Sequence, residues 1–256
     1  MMFNRKLFFT GERLSIKDVG GMNQARYEFA SSYVEGRKVI EFGCAFGYGS
    51  FILAKNRAKS IIAVDSNEKA ILYAKKNFKH KNISYVLSRI ETLNYNNRFN
   101  TAIAFELIEH LQKPDVLLNL VRRSLKKGGY LIVSTPNRAL SSYDGDKPSN
   151  PYHIKEYYPH EFKSLLKRYF NQVEMFGMFL KESKKINEDN VKKSLRWQIS
   201  SLLTRKRWIR RLVNFIPETP KRIFTGESNL LVDAKDFRFS KKNITSASYI
   251  LGVCKL

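Results

Sequence analysis

Residues 39–49 read Val39-Ile-Glu-Phe-Gly-Cys-Ala-Phe-Gly-Tyr-Gly49, an apolar strand that ends on an acid and turns through three glycines. A second apolar run, Ile61-Ile-Ala-Val-Asp65, ends on another acid sixteen positions after Gly49. Glycines let the backbone turn tightly and approach a ligand closely, because they have no Cβ. In α/β folds, an acid at the end of the second strand accepts hydrogen bonds from ribose hydroxyls. The two strands together predict a nucleoside-binding crevice.

Apolar strands alternate with helical periods along most of the chain. The periodicity predicts strands at 38–42, 60–65, 82–87, 99–105, 129–135, 172–179 and 247–254. It predicts helices at 48–57, 67–78, 114–126 and 159–169. Strands that alternate with helices form a parallel sheet with helices on both faces. We therefore predict an α/β fold with a Rossmann-like, seven-stranded, mostly parallel sheet whose last strand is antiparallel.

Length and composition favour one domain. The chain has 256 residues, 43% of them hydrophobic, which suffices for one core. We predict a single domain over 1–256, with an N-terminal helical cap over 1–36 and a basic helical insertion over 180–245. No apolar stretch approaches the roughly 20 residues that span a bilayer, and the start of the chain lacks a signal-peptide pattern. Two cysteines make no disulfide framework, so we expect a cytoplasmic protein.

Positive charge is the most unusual feature of the composition. The net charge is +23, which calls for a polyanion, a membrane surface, an anionic substrate or a lysine-rich genome as its explanation. Residues 192–222 hold ten Lys or Arg and one acid, a net charge of 10 − 1 = +9. Trp197 and Trp208 lie among these cations. The insertion could cover the acceptor site, contact an anionic membrane or bind RNA phosphates. RNA is disfavoured, since no recognised RNA-binding module accompanies the charge.

The glycine spacing separates two classes of cofactor. Dinucleotide sites have the order Gly-x-Gly-x-x-Gly, but here Ala45 stands two positions after Gly43. The order acid-x-Gly-x-x-x-Gly-x-Gly over Glu41 to Gly49 resembles motif I of class I S-adenosylmethionine-dependent methyltransferases, in which a glycine usually stands at the position of Ala45. The alternative is a glycine-rich turn in an unrelated α/β protein.

Two further stretches resemble motifs IV to VI of the same family. They are Phe99-Asn-Thr-Ala-Ile-Ala-Phe-Glu-Leu-Ile-Glu-His110 and Leu125-Lys-Lys-Gly-Gly-Tyr-Leu-Ile-Val-Ser-Thr-Pro-Asn-Arg138. The family usually has Asp at the position of Asn100. Within them, the motifs Glu106-x-x-Glu109-His110 and Ser134-Thr-Pro-Asn-Arg138 resemble the corresponding motifs of ubiquinone-biosynthesis O-methyltransferases and of bacterial glycan-cluster methyltransferases. Two other stretches, Thr10-Gly-Glu-Arg-Leu14 and Asn150-Pro-Tyr-His-Ile-Lys-Glu-Tyr157, look closer to the glycan-cluster group.

This resemblance implies S-adenosyl-L-methionine as the cofactor. Its methionine part would lie at the glycine turn, its ribose on Asp65 and its adenine beside Arg89 and Ile90. Arg26 is a candidate partner for the cofactor carboxylate, because a planar guanidinium binds a carboxylate through two hydrogen bonds. An ordinary solvated arginine is the equal alternative. The full set of implied cofactor residues is Arg26, Glu41, Gly43, Cys44, Ala45, Phe46, Gly47, Gly49, Asp65, Ser66, Arg89, Ile90 and Phe105.

Methyl transfer to a hydroxyl needs a base or a metal. The transfer is an in-line displacement, so the protein mainly positions the acceptor, excludes water and removes a proton. Glu109 and His110 follow the fourth strand, at the edge where open α/β sheets bind ligands. His153 and His160 lie in the segment that should fold over the same edge. We predict Glu109, His110 and His153 as catalytic residues.

A divalent metal is the alternative to a simple base. Carboxylate and imidazole ligands suit Mg or Mn, and the plant small-RNA 2′-O-methyltransferases look similar here. In that case, the predicted metal ligands are Glu106, Glu109, His110 and His153. Otherwise, the two acids make structural hydrogen bonds and one histidine acts as a general base.

These features predict an S-adenosylmethionine-dependent O-methyltransferase. We expect its acceptor to be a hydroxyl of a sugar or glycan precursor, either a small molecule or lipid-linked, and we expect peripheral contact with an anionic membrane. Methylation of RNA or of a quinone-type phenol is the enzymatic alternative. The non-enzymatic alternative is a polyanion- or membrane-binding protein with a vestigial cofactor pocket.

Overall fold

A computed structural model describes residues 7–9, 12–14, 21–141, 143–144, 147–148, 150–181 and 233–256. Its strands are β1 Leu7–Phe9, β2 Glu12–Leu14, β3 Lys38–Phe42, β4 Ser60–Asp65, β5 Ile83–Leu87, β6 Phe99–Phe105, β7 Leu125–Pro136, β8 Tyr143–Asp144, β9 Lys147–Pro148, β10 Gln172–Leu180, β11 Phe237–Ser240 and β12 Tyr249–Lys255. Its α-helices are α1 Gly21–Ser31, α2 Tyr48–Lys55, α3 Glu68–Asn77, α4 Pro114–Ser124 and α5 Pro159–Lys167. Short 3₁₀ turns occupy Ile90–Thr92, Ile108–His110, Ala234–Asp236 and Ile244–Ser246.

Eight strands form the central sheet, in the order β11-β10-β12-β7-β6-β3-β4-β5. The five strands from β7 to β5 run parallel to their neighbours, whereas β12 runs antiparallel to both β7 and β10. The predicted α/β sheet, mostly parallel with an antiparallel last strand, is confirmed. The eighth strand, β11, was not predicted. It pairs with β10 at the sheet edge, where Phe237 and Phe239 pack against the cluster around Met178 and Leu251.

Strand register brings three strand ends together. In β3, Val39 pairs with Ile61 of β4, and Glu41 pairs with Ala63 of β4 on one side and Ile103 of β6 on the other. These strands are mostly buried, as expected for parallel strands covered on both faces. Their carboxyl ends therefore meet at one edge of the sheet, which is where ligands bind in open α/β folds.

Helix α1 lies over the carboxyl edge, against α2. Tyr27 of α1 stacks edge-on against Phe105, with 5.1 Å between the ring centroids. A Cβ at Gly49 would lie 1.8 Å from Cζ of Tyr27, so only glycine lets the two helices approach this closely. Within the predicted helical cap, α1 is helical, but the preceding described residues form the antiparallel β1–β2 hairpin instead. Strands of three residues are too short to show a periodicity in the sequence.

Only part of the predicted basic insertion, 180–245, lies among the described residues. Residues 182–232 lie outside the described residues, so the basic helices expected over 192–222 stay a prediction. The described end of the segment, 233–245, forms β11 and two 3₁₀ turns rather than an α-helix. Its four-residue strand is too short for periodicity to distinguish from a helical segment. Among the helices that the structure describes, none has the length and apolarity needed to cross a bilayer.

Candidate active site

A cavity of about 590 Å³ lies at the carboxyl edge of the sheet, beneath α1. The α1 helix, the turn after β3, the ends of β4 and β6, and the segment around His153 all contribute to it. It brings together most of the predicted cofactor and catalytic residues. Those that line it are Arg26, Gly43, Cys44, Ala45, Phe46, Gly49, Asp65, Ser66, Arg89, Ile90, Phe105, Glu106, Glu109, His110 and His153.

Two of the predicted cofactor residues, Glu41 and Gly47, do not line the cavity. Gly47 has a φ of +82°, and a Cβ there would lie 2.6 Å from Oη of Tyr85 and 2.7 Å from Cβ of Ala74. This glycine therefore allows close packing beneath the turn, and a contact between Gly47 and the cofactor stays a prediction. Ala45, by contrast, lines the cavity with a φ of 52°, a left-handed conformation that an L-residue adopts at a cost of about 1–2 kcal/mol. That conformation explains why glycine suits this position.

Glu41 lies below the floor of the cavity. Oη of Tyr27 donates to its Oε1 at 2.6 Å, and Oγ of Ser50 donates to its Oε2. Burial raises the pKa of the Glu41 carboxyl, although the two hydroxyl donors act in the opposite direction. The sequence-based assignment of Glu41 to the cofactor stays a prediction. Through these two hydrogen bonds, the Glu41 carboxyl links α1 and α2 to β3 beneath the cavity.

Replacing Glu41 with glutamine should change how stability depends on pH. In the wild type the folded pKa is raised, so the unfolded state ionises first as pH rises above about 4.3, the ordinary value for glutamate. The free energy of unfolding should then fall until the folded group also ionises, by about 1.4 kcal/mol for each unit of pKa elevation. Glutamine can accept from one hydroxyl and donate to the other, but it cannot ionise.

Urea unfolding at a series of pH values from 4 to 8 measures this effect. The Glu41→Gln variant should match the wild type near pH 4 and should lose less stability than the wild type towards pH 8. Glu35→Gln is a suitable control, since Glu35 is exposed and pairs with Arg57 on the surface. Parallel pH curves for wild type and Glu41→Gln would contradict the raised pKa.

Asp65, the predicted ribose contact, lines the cavity. Its Oδ2 accepts the backbone N–H of Ala45 at 2.9 Å, and its Oδ1 accepts that of Asn67 at 2.8 Å. Burial raises the pKa of Asp65, and these backbone donors partly offset that effect. Each carboxylate oxygen keeps a second lone pair for a ligand hydroxyl. Arg89 and Ile90 line the same cavity, and their contact with adenine stays a prediction.

Arg26 is a buried arginine, with only 2% of its side chain exposed. Its Nη1 lies 3.1 Å from Oε1 of Glu106, and its Nη2 donates to Oδ1 of Asn23. The guanidinium also lies 4.8 Å from the ring centroid of Tyr249. The alternative of an ordinary solvated arginine is therefore wrong. A cation held in this cavity wall is available to an anionic part of a ligand.

His110 is held in one tautomer by the segment that follows the β8–β9 hairpin. Its Nδ1 lies 2.8 Å from the backbone carbonyl oxygen of Tyr152. Because a carbonyl oxygen only accepts hydrogen bonds, Nδ1 carries the proton and Nε2 carries the lone pair. No residue that the structure describes hydrogen-bonds this Nε2. His110 can therefore accept a proton from a ligand in the cavity.

His153 has partners on both ring nitrogens. Its Nδ1 lies 2.6 Å from Oε1 of Glu156, and its Nε2 lies 2.9 Å from Nδ2 of Asn150. The two imidazole rings of His110 and His153 make an edge-to-face contact at 4.8 Å. The Asn150–His153–Glu156 set thereby fixes the turn whose Tyr152 carbonyl orients His110. Glu156 was not predicted, although the spacing His-x-x-Glu was a usable signal. His160, by contrast, is exposed and lies outside the cavity.

Glu109 is a fully buried acid on the cavity wall. Its Oε2 accepts from Oγ1 of Thr135 at 3.1 Å, and its Oε1 has no hydrogen-bond partner among the described residues. Burial raises the pKa of Glu109 well above its ordinary value, and the charge of Glu106 raises it further. A protonated carboxyl in this position can donate a hydrogen bond to a ligand oxygen.

The predicted metal ligands do not all meet. One donor atom each from Glu109, His110 and His153 lie within 4.8 Å of one another. Glu106 is directed to Arg26 and to Oγ of Ser134, so its assignment as a ligand is wrong. Adjacent ligands of an octahedral Mg²⁺ would lie about 3 Å apart. Both nitrogens of His153 are hydrogen-bonded as arranged, and the metal site over Glu109, His110 and His153 stays a prediction.

Comparison with known proteins decides the family. The sequence matches the methyltransferase-domain family over residues 34–196. The chain belongs to this family. A protein of Mycobacterium tuberculosis named as an S-adenosylmethionine-dependent methyltransferase is 32% identical over 188 residues, which cover 68% of this chain and 65% of that protein. The ubiquinone biosynthesis O-methyltransferase of Rickettsia conorii is 33% identical over 124 residues, covering 47% of this chain and 42% of that enzyme.

Solved structures agree with the fold of this methyltransferase domain. An S-adenosylmethionine-dependent methyltransferase from Mesorhizobium loti superposes with a TM-score of 0.58 at 14% identity, covering 93% of this chain and all of that chain. The sequence-based resemblance to this family, including its ubiquinone-biosynthesis branch, is confirmed. The match spans just under two thirds, 65%, of the length of the mycobacterial relative.

Proposed function

We propose that the protein is an S-adenosylmethionine-dependent O-methyltransferase. One observation carries this proposal: a single cavity joins a nucleoside end, at Asp65 and Ile90, to a proton-accepting end, at His110. The glycine turn lies between these two ends, where β3 stops between β4 and β6. A cofactor with its ribose on Asp65 would therefore direct its sulfonium towards the histidine.

The proposed reaction is an in-line displacement at the methyl carbon. An oxygen lone pair of the acceptor forms the new C–O bond as the C–S bond breaks, and the bonding electrons stay on the sulfur of S-adenosylhomocysteine. The acceptor proton passes to Nε2 of His110, which the Tyr152 carbonyl holds in the required tautomer. The bound geometry supplies most of the remaining acceleration.

We propose a sugar or glycan-precursor hydroxyl as the acceptor. Two polar groups support this choice. His110 can accept the proton of one hydroxyl. Glu109, whose pKa is raised by burial, can donate to a second oxygen nearby when it is protonated, since a carboxylate oxygen of Glu109 and a ring nitrogen of His110 lie within 4.8 Å of each other. An acceptor with neighbouring oxygens, as in a sugar, uses both groups. An aliphatic hydroxyl is also a weak acid, so its methylation benefits most from a base.

A quinone-type phenol is the second candidate acceptor. The similarity to the Rickettsia conorii ubiquinone biosynthesis O-methyltransferase favours it. A catechol also presents two neighbouring oxygens, which the same pair of groups could bind. Apolar side chains at the acceptor end, Leu107, Leu111 and Pro136, would accommodate a ring of either kind.

A transfer assay separates these acceptors. Purified protein is incubated with methyl-labelled cofactor and, in separate reactions, nucleotide sugars, lipid-linked sugars, catechols and RNA. The proposal predicts label on a sugar hydroxyl, located by mass spectrometry of the product. Label on a catechol alone would favour the second candidate, and label on RNA alone would overturn both. Absence of binding to S-adenosylhomocysteine in calorimetry would overturn the cofactor assignment itself.

A further inference from the structure

Positive charge is concentrated at the amino edge of the sheet, opposite the cavity, where the parallel strands begin. The segments at the start of β3, β4, β5, β6 and β7 are 32–37, 56–59, 78–82, 93–98 and 125–129. These segments hold eight Lys or Arg and a single acid, Glu35, which already pairs with Arg57. The carboxyl edge, by contrast, carries the acids Asp65, Glu106 and Glu109. The fold therefore separates charges of opposite sign onto the two edges of the sheet.

Backbone hydrogen bonds and strand pairing join these five segments into one continuous surface. The N–H of Lys59, before β4, donates to the carbonyl oxygen of Arg37, before β3, at 2.9 Å. The N–H of Arg98, before β6, donates to the carbonyl oxygen of Ser124, before β7, at 2.8 Å. Because neighbouring strands lie about 4.8 Å apart, the five strand beginnings form a row roughly 19 Å long.

Helix polarity explains only part of the charge at the amino edge. Helices α2, α3 and α4 connect parallel strands, so their last turns lie at this edge. The basic residues in those turns offset the helix dipole, and they are Lys55, Lys75, Lys76, Arg122 and Arg123. Lys59, Lys81 and Arg98 belong to no helix. Like charges within a Debye length of about 10 Å repel one another. Their concentration here therefore indicates an anionic partner.

A recess of about 510 Å³ lies at the β5 end of the row. The polar side chains among the described residues that line it, none of them acidic, are Lys75, Lys79, His80, Lys81, Ser84 and Tyr85. Nδ1 of His80 accepts the N–H of Asn82 at 3.3 Å, so the neutral ring carries its proton on Nε2, which is then a donor. Ammonium and imidazole donors with no carboxylate beside them suit a phosphate group.

The distribution of apolar side chains favours a nucleic acid over a membrane as this partner. An interfacial protein places large apolar side chains on the surface that meets the lipid. The exposed large apolar residues among those that the structure describes are Leu72, Leu87, Leu140, Tyr152, Ile154 and Tyr158. None of them lies in the five segments of the amino edge. A row of cations matches the successive phosphates of one nucleic-acid strand, to which binding is largely electrostatic.

We propose that the amino edge binds the phosphate backbone of a single-stranded nucleic acid, with one phosphate in the recess beside Lys81. The six residues of β4, at about 3.3 Å each, separate this edge from Asp65 by roughly 20 Å. A bound strand therefore leaves the methyl-transfer cavity open, and the nucleic acid is a partner of the protein, not its methyl acceptor. The proposal depends neither on the cofactor nor on the predicted basic insertion, 180–245.

Three exposed lysines of the amino edge, Lys59, Lys81 and Lys127, provide the test when all three are replaced by glutamine. Fluorescence anisotropy measures the binding of a labelled oligouridylate to the full chain over a series of salt concentrations. Each phosphate contact contributes about 0.7 to the slope of log K against log salt concentration. The triple variant should therefore lose about 2 from this slope, and roughly 100-fold in affinity at about 0.1 M salt.

A second triple variant removes the same charge from other exposed positions. Lys69→Gln, Lys113→Gln and Lys163→Gln lie on the first turn of α3, directly before α4 and within α5, away from the amino edge. This control should keep its affinity for the oligouridylate within about threefold of the wild type, with an unchanged slope. Thermal unfolding and S-adenosylhomocysteine binding should match the wild type in both triple variants.

The single change Lys81→Gln keeps the test decisive if the edge variant does not fold. It should weaken binding about fivefold and lower the slope by about 0.7. Equal losses in the two triple variants, or an unchanged slope in the edge variant, would overturn the proposal. So would wild-type protein that binds phosphatidylserine vesicles but not the oligouridylate, since the amino edge would then be a membrane surface.

Discussion

Replacement of His110 by alanine is expected to lower kcat for methyl transfer by about 10²- to 10⁴-fold, the usual contribution of a general base. The dissociation constant for S-adenosylhomocysteine should change less than about threefold, because His110 acts on the acceptor and not on the cofactor. The physical reason is the lone pair on Nε2, which faces a cavity and has no partner among the described residues. Label transfer and calorimetry on the same preparation measure the two quantities.

Two other histidines provide controls for this experiment. His160→Ala removes an exposed imidazole that stacks on Tyr158 outside the cavity, so kcat should stay near the wild-type value. His153→Ala should lower kcat less than His110→Ala, because it loosens the turn that orients His110 without removing the base. A larger loss from His153→Ala than from His110→Ala would show that the base is assigned to the wrong ring.

Replacement of Asp65 by alanine is expected to weaken S-adenosylhomocysteine binding by at least about 100-fold. A hydrogen bond to a charged group contributes about 1.5–3 kcal/mol, and the ribose offers two hydroxyls to this carboxylate. The variant also removes the acceptors for the N–H groups of Ala45 and Asn67, which loosens the glycine turn. Both effects act on the cofactor, so the expected loss in affinity is large.

Asp115→Ala is the matched control for this loss. Asp115 is half-exposed on α4 and pairs with Arg168, away from the cavity. Its removal should leave cofactor affinity within about twofold of the wild type, as is usual for exposed ion pairs. Circular dichroism and thermal unfolding establish that each variant is folded. A folded Asp65→Ala protein with wild-type affinity would remove the basis for the nucleoside-binding site.

Sequence patterns located the strands that carry the site. Parallel strands read as apolar runs because both of their faces are buried, and this signal placed Asp65 and Glu106 at strand ends without any knowledge of their neighbours. Asn67 caps α3, since its Oδ1 accepts the N–H of Ala70. The short strand β11 was missed, because four residues are too few to show a period.

Side-chain roles at the site were less predictable. Motif spacing grouped Glu41 with the cofactor and Glu106 with a metal, whereas the structure turns Glu41 towards Tyr27 and Ser50, and Glu106 towards Arg26. Neighbouring residues on a chain can face different partners, because backbone conformation sets their direction. The left-handed φ of Glu106 is an example that no periodicity reveals.

The sequence alone determined the α/β class, the glycine turn and the acid at the end of β4, because these depend on local backbone freedom and on which residues can be buried. Tertiary structure alone decided which polar groups share the cavity, how Tyr152 fixes the tautomer of His110, and that Arg26 is buried beside Glu106. Those properties depend on contacts between residues far apart in the chain, such as Arg26 and Glu106, and on the burial that raises the pKa of Glu109.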